Sequence, residues 1–253
     1  MTPYKAAALA LIAAMASSAA ASAAEIRLIG TGAVKHTIEA LAARFTAETG
    51  HTITSSFATA GVVTQRVDGS EAFDIVMSSD SSLRTLAGKS RVEGAAMTLG
   101  TVRIAVAVRA GAPAPAVDTP EALRAALLSA PVVSYGDPKA GATTGIHFAK
   151  VLDQLGIRSA IDANANLQKD GLDVMREVAA GRATLGITQA SEVNAIPGVA
   201  LAGFLPASLQ LVSTYQAALT PTGQGKAPAA AFVAFVTGPA GAVAFRAAGF
   251  ETP

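Results

Sequence analysis

An α/β fold of two lobes around a ligand cleft is what this sequence predicts, and three observations carry the prediction. Strand-like runs alternate with helix-period runs from residue 24 onward, the pattern of sheets covered by helices and of largely parallel pairing. The turns from strand to helix are made of Gly, Ala and Thr instead of charged residues. Two strand-like segments, Val102 to Val108 and Leu209 to Leu219, are placed to carry the chain from one lobe to the other and back.

Taken in order, EIRLI reads as a buried strand. GTG then turns into a helix whose apolar residues Val34, Ile38, Leu41, Ala42 and Phe45 recur at helical spacing, and Gly50 ends it. HTITSSFA, the turn TAG and the helix start VVTQRV repeat the unit. FDIVMSS is the next strand, and SSLRTLAG a short helix stopped by Gly88; between them SSDSS (78–82) reads as a strand end and helix cap. VRIAVAV is apolar almost throughout, as a strand covered on both faces is. DTPEALRAALLS carries Thr119 as N-cap and Pro120 at the first helical position. VVSY is a strand, and Thr144 to Leu155 a helix with Gly156 past its end. GLDVMREVAAGR is a helix closed by Gly181, and ATLGIT a strand. LQLVSTYQAAL reads as a strand, and APAAAFVAFVTG and PAGAVAFRAAGF as helices.

The first residues read differently. Lys5, an apolar run from Ala6 to Met15 and a small-residue tract ending Ala21-Ser22-Ala23 have the form of an export signal, 1–23, with a run too short to span a bilayer. Removing it takes one lysine from 19 basic residues against 18 acidic ones, so 18 face 18 and the remainder is neutral. That balance gives no support to a nucleic-acid partner. The chain has no cysteine, which excludes disulfides, thiolate zinc sites and thiol catalysis. The expectation is an exported, periplasmic, soluble monomer that is not embedded in a membrane.

Enzymatic signatures are lacking. His36, His51 and His147 stand in no metal-binding spacing, and no nucleophile elbow surrounds the serines at 78–82. Gly30-Thr31-Gly32 fails the dinucleotide pattern because Lys35 holds the third glycine position. No paired acid and base is visible in the turns, so a non-enzyme without metal or cofactor is expected.

What recurs is a turn. GTGA (30–33), ATAG (58–61) and GATTG (141–145) all lead from a strand into a helix, and Asp170-Gly171 precedes another helix. One such turn is a loop and a helix cap. Four at strand ends, where α/β sheets bind ligands, make an anion site out of helix N-termini and hydroxyls with no basic side chain. Thr31, Gly32, Ala33, Thr59, Ala60, Gly61, Thr143, Thr144 and Gly171 are its candidate residues.

The segments LAARFTAETG, FDIVMSSD, VRIAVAV, SYGDPKAGATTGIHFAKVLDQLGI, VAAGRATLGITQASE and AAAFVAFVTGPAGAVAFRAAGF, in this order over nearly all of the chain after the signal, resemble the periplasmic solute-binding proteins of ABC importers, and among them the molybdate-binding family. The resemblance implies a type II two-lobed binding protein, lobe 1 from 24–104 and 216–253 and lobe 2 from 105–215, that captures a small anion and delivers it to a membrane permease. It places the family's first serine at Ala33 beside Thr31, its second at Thr59, its backbone donors at Thr144 and near Gly171, and its pocket-closing tyrosine at Gln189. Molybdate or tungstate is the first expected ligand. A small di- or tricarboxylate is the alternative, because Ala33, Thr144 and Gln189 change the donor set; so is a sensory subunit with the same cleft.

Overall fold

The computed structural model describes residues 23–253; apart from Ala23, the expected export signal lies outside the described residues. The chain runs β1 (Glu25–Thr31), a 3-10 turn (Gly32–Val34), α1 (Lys35–Thr49), β2 (Thr52–Ala58), α2 (Ala60–Asp68), β3 (Ile75–Ser79), α3 (Asp80–Ala87) and β4 (Glu93–Arg109). It continues through α4 (Pro120–Ser129), β5 (Val133–Gly136), a 3-10 turn (Pro138–Ala140), α5 (Thr143–Gln154), α6 (Arg158–Asp162), β6 (Asn166–Gln168), α7 (Gly171–Ala179), β7 (Leu185–Gln189) and α8 (Ala190–Ala195). It ends with β8 (Val199–Phe204), β9 (Val212–Leu219), α9 (Pro221–Gln224), α10 (Ala227–Thr237) and α11 (Pro239–Ala247).

Two sheets share one strand. The first has the order β2-β1-β3-β9-β4, and the second joins β8 and β7 to the two sides of β4 and continues through β5 to β6. Residues Glu93 to Arg103 of β4 pair with β9, and Ile104 to Arg109 pair with β7 and β8. The predicted crossing therefore exists, within a strand that starts earlier than expected. Gly94 and Gly100 interrupt its apolar pattern, and two register shifts accommodate them. The return crossing lies just before β9, where Gln210 accepts the Ile104 N–H at 2.8 Å and donates to the Ile104 carbonyl at 3.0 Å. One side chain there does what a neighbouring strand would do, at the residue where β4 changes sheets.

Parallel pairing holds for β1 with β2 and β3, and for β5 with β6 and β7. The crossing strands run antiparallel to every partner. A parallel neighbour needs a crossover that returns the chain to the same end of the sheet, and a strand arriving from the other lobe has none. The first sheet packs Ile38 and Phe45 of α1 with Phe232 and Phe245 of the C-terminal helices, and Val63, Leu83 and Leu86 on its other face. Phe45 and Phe232 meet edge to face at 5.1 Å. The second sheet buries Ile104, Val106, Tyr135, Phe148 and Leu152 in a core of its own. Among the described residues no single helix is long and apolar enough to cross a membrane.

Candidate functional site

The strand-end turns converge. A cavity of about 360 Å³, counted out to its mouth, is lined by Thr31, Gly32 and Ala33 after β1, Ala58, Thr59 and Ala60 after β2, Ala142, Thr143 and Thr144 after β5, and Asp170 and Gly171 after β6. Gln189 at the end of β7, Glu192 of α8 and Tyr215 of β9 complete it. Nine of the ten candidate residues named from the sequence thus share one wall; Gly61 stands just outside it.

Local sequence explains the wall. α5 begins after Ala142, which offers no side chain to cap it, so the first N–H groups of that helix have no local acceptor. Thr144 is buried. The Thr31 hydroxyl is buried without a hydrogen-bond partner, as is the Gln189 side-chain oxygen. The other end of that amide donates to Ser213 Oγ at 3.2 Å and to the Tyr215 hydroxyl at 3.3 Å. A half-turn of the amide exchanges its oxygen and nitrogen, so the free end serves as acceptor or as donor. Gln189 stands where the family resemblance implies a tyrosine, and Tyr215 brings a phenol to the same cavity from another strand. Burial, with the Glu192 charge next, raises the Tyr215 pKa, so its proton stays on.

GATTG joins the two lobes as well as lining the cavity. The Gly61 N–H donates to the Gly141 carbonyl at 3.1 Å, and the Thr59 hydroxyl donates to the Ala140 carbonyl at 2.7 Å while accepting the Val62 N–H at 3.4 Å. Gly141 has φ +74° and packs against the Gly61 backbone, an approach and a conformation that glycine alone makes without strain. Thr59 therefore lines the cavity with its hydroxyl committed to closing it. Thr59→Val removes one neutral hydrogen bond of about 0.5–1.5 kcal/mol and a helix cap. Calorimetry is expected to show affinity falling about three- to tenfold, less than for a hydroxyl bonded to the anion itself.

Glu192 is the residue that sequence reasoning missed. It lies four residues past Thr188 and only 6% exposed, accepts the Thr188 hydroxyl, and sits against Gly32 and Gly171. Burial first, and the Asp170 charge as a lesser contribution, raise its pKa to about 7, against hydrogen bonds from Thr188 and the Gln189 backbone that lower it. Among the described residues no lysine, arginine or histidine lines the cavity. An adjoining cavity that shares Gly32, Ala58 and Asp170 with it is lined by three cations: Lys35, Lys169 and Arg176. Lys169 and Arg176 share one partner, Asp173, while Lys35 lies 4.0 Å from Glu39. Of the histidines, His147 donates from Nε2 to the Leu209 carbonyl at 2.8 Å, and the Nδ1 of His51 accepts the Ala24 N–H at 3.2 Å.

A model of the bacterial extracellular solute-binding proteins matches residues 26–251. The chain is 26% identical over 233 residues to a protein from Pseudomonas sp described as aconitate isomerase, covering 89% of this chain and 87% of that one. It is 24% identical over 240 residues to the molybdate-binding protein ModA of Escherichia coli (strain K12), covering 94% and 93%. The solved periplasmic molybdate-binding protein of Azotobacter vinelandii superposes with a TM-score of 0.74 at 21% identity, over 90% of this chain and 99% of that one.

Proposed function

The chain belongs to the bacterial extracellular solute-binding proteins, and from that premise we propose that it captures a small organic carboxylate in the cleft and hands it to the permease of an ABC importer. The reading keeps the two lobes expected from the sequence, with the return boundary moved from 215 to Gln210 because Val212 to Tyr215 pair with β4 in the first sheet, and takes the protein as an exported, periplasmic monomer. The observation that carries it is the meeting of three neutral, donor-rich turns with Asp170-Gly171 in a single cavity that also holds Glu192.

The family likeness ranks molybdate and tungstate first, and the cavity reorders that ranking. A metal oxyanion concentrates two negative charges in the space where Glu192 and Asp170 already stand and no cation does. A carboxylate brings one charge inward. In a di- or tricarboxylate the other charges have the adjoining cavity of Lys35, Lys169 and Arg176 to extend towards. The 26% identical relative described as aconitate isomerase is named for a tricarboxylate.

A melting screen separates the ligands. At about a thousand times its dissociation constant a ligand contributes about 4 kcal/mol, which raises the Tm of a chain this size by roughly 8 to 16 °C. The expected result is that shift with trans-aconitate or citrate, with molybdate, tungstate and sulfate trailing. A full shift with molybdate alone restores the oxyanion reading, and no shift with any anion after unfolding and refolding refutes anion capture. Glu192 favours one second reading, an isomerase that moves a proton on the bound acid, since a buried carboxyl that titrates near neutrality is a fitting proton carrier. Conversion of trans- to cis-aconitate with deuterium uptake from heavy water establishes it, and binding without turnover leaves a receptor.

A further inference from the structure

We infer that anion capture by this protein is coupled to proton uptake, with the Glu192 carboxyl as the group that takes the proton. The inference rests on the anion-capture reading above and adds its regulation. The geometry carries it. Glu192 lines the cavity into which the strand-end turns open, and is nearly closed off from solvent. Gly171 is what makes room for it: a methyl group there would come within 2.5 Å of the Glu192 carboxyl carbon and closer still to its Oε2. An anion and an ionised carboxylate enclosed together, with no cation in the wall, repel one another, and the carboxyl meets the conflict by keeping its proton. Protonated, it accepts from Thr188 at one oxygen and has a hydrogen to donate, so it joins the donors of the cavity.

The surroundings offer no other group for this task. Asp170 faces it from the start of α7, its side chain engaged in accepting the Asp173 N–H at 2.9 Å, and Tyr215 faces it from β9 as a neutral phenol. The 3-10 turn after β1 presents Gly32; Lys35 beyond it lines the adjoining cavity, and His36 opens on another with Ser191. β7 presents only Thr188 and Gln189, and β8 contains no titratable residue. On β4, Glu93 lies at the exposed start, Arg103 pairs with Glu251 at 3.8 Å and Arg109 lies against Gly181.

The sign follows from the site. Glu192 is half protonated near pH 7 in the free protein; below that it is already neutral and binding takes up no proton, and above it each anion brings one proton in. With trans-aconitate, calorimetry is expected to show affinity about tenfold weaker at pH 8 than at pH 6, with close to one proton taken up at pH 8. Glu192→Gln keeps the shape and the acceptor for Thr188, and its affinity is expected to vary less than about twofold over the same range. An unchanged pH dependence in Glu192→Gln, or no proton uptake by the natural protein at pH 8, overturns the inference. If neither trans-aconitate nor molybdate binds at either pH, anion capture itself has failed. The carboxyl carbon resonances of the free protein then decide whether Glu192 holds its proton: one that titrates between pH 6 and 8 and is absent from Glu192→Gln upholds that, and its absence overturns it.

Discussion

Gly171→Ala is expected to abolish anion capture, lowering affinity more than about 100-fold, while the protein still folds. The added methyl group would overlap Thr188 Oγ1 and the Glu192 carboxyl together. Both belong to one buried hydrogen bond between β7 and α8, so neither can give way without breaking it and pushing Glu192 into the cavity. Overpacking of this kind costs about 1–3 kcal/mol. Each hydrogen bond lost to a charged ligand costs about 1.5–3 kcal/mol more, and two such losses exceed a 100-fold effect. Calorimetry checks the affinity, and the melting curve checks that folding survives. Adding Glu192→Ala to Gly171→Ala removes the larger obstruction and is expected to recover part of the fold stability but little of the affinity. Tight binding by Gly171→Ala alone would show that the ligand does not approach this turn.

Gly145→Ala is expected to produce the largest loss of stability among the turn residues. In an ordinary helix interior this change is favourable by about 1 kcal/mol. Here the new methyl group would stand 2.7 Å from the Gly136 carbonyl carbon and closer still to its oxygen, both backbone atoms at the end of β5. Backbone cannot swing aside as a side chain does, so α5 must lift from the sheet. A cost of about 3 kcal/mol lowers the Tm by roughly 6 to 12 °C for a protein of this size. Affinity falls with it, because α5 carries Thr143 and Thr144 into the cavity. Thr143→Ala, at a half-buried position with no such neighbour, serves as the control and is expected to leave the Tm within about 2 °C. A Gly145→Ala protein as stable as the natural one would mean that α5 does not pack on β5 in this way.

Both results bear on why GATTG contains two glycines. Gly141 lets the second lobe touch the first, and Gly145 lets α5 sit down on β5. The threonines between them face the cavity. A single loop thus closes the cleft, seats a helix and lines the site, which a reading as helix cap alone does not account for.

Local pattern was enough to read most of the elements. α4 begins where Thr119 and Pro120 place it, the Thr119 hydroxyl accepting the Ala122 N–H at 3.1 Å, and Ser79 caps α3 by accepting the Ser82 N–H at 3.4 Å. The elements without a prior signal are α6, β6, α8, α9 and β8. All are six residues or shorter, too short for either periodicity to stand out. β4 and β9 were visible, but their pairing direction was not, since direction depends on where a strand comes from in space.

What the sequence determined by itself was the alternation of strand and helix and the chemistry of the turns, because both are written in residues that are neighbours along the chain. The small residues Gly, Ala and Thr of GTGA, ATAG and GATTG mark tight turns that end strands and lead into helices. Only the tertiary structure decided which groups meet there. Thr59 reaches Ala140 across 81 residues, Gln189 reaches Tyr215 across 26, and Glu192 becomes a cavity residue because α8 turns one face towards a space made by other elements. A carboxyl's charge state depends on solvent and on neighbouring charges within a few ångströms, and those are set when the two lobes come together. Glu192 in TQASE therefore looks like any acidic residue near the start of a helix until the sheets that bury it are in place.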